Sequence, residues 1–206
     1  MVLSPRKRQI ISRSFPEARE FLLSKIVGPD YPVKHLIEQA RNKGHITKGK
    51  QGRGGGVVTS RDMAMLLAGT LAGDKPQTAS DAMGELTAQM PHPHSGEREL
   101  DVAGLQKGWW NQSVIDVIAL LLDTWRHDFE FDFLEMGLTI SREPWMHAQL
   151  SWNNIPYERD VFISYSKRVE GEQFEKAPTL RHLSASYNGE VLRMAADWLE
   201  GREGHH

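Results

Sequence analysis

Apolar residues recur along this chain with two different periods. Ser14, Pro16 and Glu17 supply a helix cap, a first-turn proline and a first-turn acid, and Phe21, Leu22, Leu23 and Ile26 follow as an apolar face. A first helix is therefore predicted from this cap until Gly28-Pro29-Asp30 stops it. Val33, Leu36, Ile37 and Ala40 fall at i, i+3, i+4 and i+7, which predicts an amphipathic second helix over 32–42, ended by Gly44. Thr59 or Ser60 caps a third helix, with Asp62 at its positive end, then Met63, Leu66, Leu67 and Thr70, and with Gly73 closing it. A fourth helix fits 78–90.

The second half mixes the periods. Val114, Ile115, Val117, Ile118, Leu121, Leu122 and Trp125 give the helix expected over 111–127 so broad an apolar surface that it must be buried. Strict alternation then marks strands: Leu138 with Ile140; Met146, Ala148, Leu150 and Trp152; Val161, Ile163 and Tyr165; Leu183, Ala185 and Tyr187. A last amphipathic helix carries Val191, Leu192, Ala195, Trp198 and Leu199. The predicted class is α+β. A basic flexible tail (1–13) leads into a helical domain (14–90). A polar linker, PHPHSGERE (91–99), precedes a smaller α/β domain (100–206), in which helices 111–127 and 190–200 pack a small antiparallel sheet.

Composition narrows the function classes. The chain has 206 residues, 39% hydrophobic and 25% charged, which suits a globular protein with a real core. With no cysteine, disulfides, thiolate zinc sites and cysteine nucleophiles are excluded. The start, MVLSPRKRQIISRSF, lacks the apolar core of a secretory signal. The longest apolar stretch, 114–122, is broken by Asp116 and would rise only about 14 Å as a helix, so no membrane contact and a cytoplasmic location are expected. Charge is divided unevenly. Residues 1–61 hold 13 Lys and Arg against four acids, and the remainder 12 against 23, so a basic front precedes an acidic rear. That division points to a polyanion-binding module on a differently employed body.

Two short helices joined by a Gly-Pro turn, the second amphipathic, meet the minimal description of a helix-turn-helix. The polar side of the second helix presents Lys34, Glu38 and Arg41, flanked by His35 and Gln39. In a major groove, Lys and Arg pair with guanine and Gln with adenine. Lys43 follows in the last turn, and the next loop sets Lys48, Lys50 and Arg53 among Gly49, Gly52, Gly54, Gly55 and Gly56. Glycines let backbone approach phosphate, and the cations supply salt-sensitive affinity.

The run HLIEQARNKGHITKGKQGRGGGVVTSRDMAMLL resembles the winged-helix module of MerR-like regulators and excisionase-like phage proteins, and also helix-turn-helix proteins of bacterial prophages. Gly44-His45-Ile46 matches the end of their recognition helix, and Thr59-Ser60-Arg61-Asp62-Met63 matches the cap of the packing helix after the wing. The resemblance covers about 60 residues. It implies that Lys34, Arg41, Lys48, Lys50 and Arg53 face DNA while Leu66 and Leu67 pack the domain. The wing lacks the aromatic–Arg pair of those families, and no dimerising coiled coil follows.

Other chemistry reads more weakly. The glycine-rich loop lacks GxxxxGK[ST], so nucleotide hydrolysis is not expected. His92, His94 and His127 could hold zinc, but proline-flanked histidines in a hinge read better as solvated, and neither metal nor cofactor is expected. Trp109 and Trp110 read as core packing. Asp128, Glu130, Asp132 and Glu135, alternating with Phe129, Phe131 and Phe133, read as one wet face of a strand or turn. With no Gly-x-Ser-x-Gly elbow or His-Glu-x-x-His pair, no catalytic residue is expected. The leading expectation is a non-enzymatic, sequence-specific DNA-binding transcriptional regulator of phage or prophage type. It would bind double-stranded DNA as a homo-oligomer, with the rear domain free for a protein partner or effector. The alternatives are a phage DNA-packaging or architectural protein, and an enzyme with a site around His147, Glu143 and Trp145 or Trp152.

Overall fold

A computed structural model describes residues 12–48, 56–91, 112–127, 136–141, 146–154, 159–166 and 184–202. The fold begins with α1 (Phe15–Phe21), which runs directly into a π-helical turn (Leu22–Ile26). Ser14 caps α1 reciprocally: its hydroxyl accepts the Glu17 amide, and the Glu17 carboxylate accepts the Ser14 amide and hydroxyl. Gly28 turns the chain at φ +83°, a left-handed conformation that glycine adopts without strain. Next comes α2 (Val33–Asn42), which buries Val33, Leu36, Ile37 and Ala40 as its period requires.

The central element is α3 (Ser60–Ala72), capped by Thr59, with eleven of its thirteen residues buried. It can be buried nearly all round because both halves of the chain pack on it: α2, α4 (Pro76–Thr87), α5 (Val114–His127), α6 (Gly189–Glu200) and the sheet. Polar contacts fix these neighbours. The Ser60 hydroxyl donates to Asp123 of α5 at 2.5 Å, Arg61 pairs with Asp116 at 3.2 Å, and Thr70 bonds Tyr187 at 2.9 Å. Apolar residues from Phe15 to Leu199 form one cluster, so segments on either side of the expected 91–99 linker share a core.

The described residues form a five-stranded antiparallel sheet in the order β1-β4-β3-β2-β5. Its strands are β1 (Met90–Pro91), β2 (Met136–Ser141), β3 (His147–Asn154), β4 (Arg159–Ser166) and β5 (Ser184–Asn188). Leu138 faces Leu150 and Tyr187, and Ile140 faces Ala148 and Ala185, so the alternating apolar residues line up on one face. That face packs against α3 and α6. The molecule is thus α+β, with α5 and α6 packed in the same core as the sheet.

Two helix starts differ from expectation. α4 begins at Pro76, because a proline at the first helical position loses no hydrogen bond there, and it ends at Thr87. α5 begins at Val114 because the Ser113 hydroxyl accepts the Asp116 amide at 3.2 Å and serves as the cap. Among the described residues, no helix is long and apolar enough to cross a membrane.

Candidate nucleic-acid interface

The polar side of α2 is open to solvent. Lys34, His35 and Glu38 are exposed, Gln39 is half-buried, and the His35 ring lies 3.4 Å from the Glu38 carboxylate. Arg41 does not share that face. Its guanidinium lies 4.1 Å above the Phe15 ring, back toward the start of α1, with Nε and Nη2 buried and without a hydrogen-bond partner. A cation over an aromatic face is stabilised by the ring quadrupole, and the contact ties the last turn of α2 to the first turn of α1.

Lys43 is also turned away. Its ammonium meets Asp81 of α4 at 2.5 Å, on a recess of about 400 Å³ lined by Lys43, His45, Asp81, Gly84, Glu85 and Ala88. The Lys43 hydrogen bond holds the Asp81 carboxyl below its ordinary pKa. Burial lowers the pKa of His45, and the neighbouring Lys43 charge lowers it further. Asp81 and Glu85 flank Lys43 here, and the pairing with Asp81 takes up its charge.

Lys48 is exposed where the glycine-rich loop begins. Lys50 and Arg53 lie outside the described residues, as do residues 92–99 of the expected linker with His92 and His94, Trp109 and Trp110, the acids of 128–135, Glu143 and Trp145. Both ends of the loop are held by one carboxylate. Asp62, 3% exposed, accepts the Thr47 amide at 2.7 Å and hydroxyl at 3.0 Å, and the Thr59 amide at 2.9 Å and hydroxyl at 2.8 Å. Its role as a helix cap was legible in the Thr59-x-x-Asp62 spacing. Its grip on Thr47, fifteen residues upstream, was not.

The segment entering α1 completes the arrangement. Ser14 bridges Val57, and the Val58 amide donates to the Arg13 carbonyl at 2.8 Å, so this segment lies against the far foot of the loop. Arg13, expected in a free tail, belongs to the folded body. Its Nε donates to the Trp198 carbonyl at 3.0 Å and its guanidinium sits 5.1 Å over the Trp198 ring, which stacks on Phe21 at 5.2 Å. No group of three or more metal-binding side chains occurs among the described residues, and His147 is half-buried at the start of β3. No protein-family model matches the chain, and no curated protein or solved structure matches it significantly.

Proposed function

We propose that this protein is a sequence-specific DNA-binding regulator of the phage or prophage kind, gripping duplex DNA with a winged helix-turn-helix. In this reading α1 and α2 form the helix-turn-helix, α2 enters the major groove, and the 48–57 loop is the wing. One observation carries it: the chain at 13–14 is hydrogen-bonded to the chain at 57–58. The basic segment bearing Arg6, Lys7 and Arg8 and the loop bearing Lys48, Lys50 and Arg53 are therefore rooted side by side, and neither contains an acid. Arg41 on Phe15 ties α2 to the start of α1 beside these roots. Two acid-free cationic segments with neighbouring roots suit counterion release from a polyanion.

Roles follow from placement. Lys34, His35 and Gln39 read base edges, and Lys48, Lys50 and Arg53 neutralise phosphate. Arg41 supports the reading helix rather than reading, and Lys43, paired with Asp81, takes no part in the contact. The acidic rear serves self-association or a protein partner. Reversing Lys48, Lys50 and Arg53 to glutamate together should weaken binding to every duplex by about a hundredfold or more and flatten the log–log salt slope by about three. A triple variant with wild-type affinity and slope would remove the wing from the interface.

A further inference from the structure

We infer that Asp62 is the positioning residue of the DNA-binding surface, holding both ends of the cationic loop in one place through its two carboxylate oxygens. The inference rests on the DNA-binding reading. Four donors converge on this buried group, two from Thr47 and two from Thr59. Ordinary capping of α3 accounts for the Thr59 pair alone. The Thr47 pair does nothing for the helix: it fixes the chain that leaves α2 just before the exposed Lys48. The sequence between the two threonines holds five glycines, and such a chain gains most from having its ends fixed beforehand. Ordering of the feet is then met during folding rather than at each binding event, and the loop cations act from a set origin beside α2.

The sign of the electrostatic effect makes this testable. Asp62→Asn keeps the shape but removes a negative charge, so charge alone would tighten binding to a polyanion. The Thr47 amide reaches one carboxylate oxygen, while the Thr47 hydroxyl and both Thr59 donors share the other. An Asn amide nitrogen cannot accept, so the variant releases at least the Thr47 amide and loosens that foot of the loop. Positioning therefore predicts the opposite: affinity for a labelled random-sequence duplex falls about tenfold at fixed salt. Thr47→Val with Thr59→Val, which leaves the charge untouched, should weaken binding in the same direction. Ser113→Ala removes a buried cap on α5 and serves as the stability control: its melting temperature should fall while its affinity stays at the wild-type value.

A second readout needs no DNA. Lys48, Lys50 and Arg53 are trypsin sites, and Asp62→Asn should be cut there about tenfold faster than the wild type or Ser113→Ala. A folded Asp62→Asn variant that binds as tightly as the wild type, or more tightly, overturns the inference, as does one cut at the wild-type rate. If the wild-type protein binds no duplex, the DNA-binding reading falls instead, while the trypsin rates still decide whether Asp62 holds the loop.

Discussion

His45 rests its ring against Gly84, where a Cβ would come within 3.0 Å of it. The groups around it are Lys43, Asp81 and Glu85. Burial holds its pKa below the ordinary 6.5, so the unfolded chain takes up a proton first as pH falls. The associated stability is present above 6.5 and is lost progressively as pH drops from there through the lowered folded value. Glu17 and Asp81 are also shifted down, from 4.5 and 3.8, so their losses come at lower pH. Melting temperature should therefore fall between neutral and mildly acidic pH, and His45→Gln should flatten that slope; an unchanged slope contradicts the assignment. At this scale the sequence revealed the local devices. Ser14 was legible as a cap with Glu17 as a first-turn acid, and Thr59 or Ser60 as a cap with Asp62 at the helix start; the structure shows Ser14–Glu17 and Thr59–Asp62 to be reciprocal pairs. Arg41 on Phe15, Lys43 on Asp81 and Arg13 on Trp198 are contacts across the fold, and helical periodicity can place a long cation outward without showing that an aromatic ring or a carboxylate draws it back.

α3 and α4 meet through glycines, and the tightness of that joint differs along it. A Cβ on Gly73 would stand 2.4 Å from the Ala79 backbone nitrogen, whereas one on Gly69 would meet the mobile end of Met83 at 2.3 Å. Backbone cannot retreat as a methionine tip can. Gly73→Ala should thus cost about 1–3 kcal/mol, and Gly69→Ala distinctly less, by urea denaturation. The reverse order would mean that the helices are not fixed where they stand. Elements with one wet and one dry face were legible: β2 and β5 alternate because one face packs on α3 and α6, β3 carries the same alternation beside β2, and α2 shows its period because only one side is buried. α3 carried less information about its surroundings, since a helix buried nearly all round has no polar face to orient it. The π-helical turn at Leu22–Ile26 leaves no mark in apolar spacing.

Across the whole molecule, a basic front and an acidic rear share one core. The composition shift at 91–99 suggested two domains because charge changes sign there, yet charge is a property of the surface, and apolar residues from both sides pack around α3. Thermal unfolding followed by circular dichroism and by tryptophan fluorescence should therefore give one coincident transition. The central claim concerns where duplex DNA lands, and titrating isotope-labelled protein with a DNA duplex while following backbone amide signals tests it most directly. The largest changes should fall on Ser12 to Ser14, Lys34, His35, Thr47, Lys48 and Val57, with Asp81 to Ala88 and β5 unmoved. Changes centred on the Asp81 recess or on the sheet, with Lys34 and Lys48 silent, would contradict it.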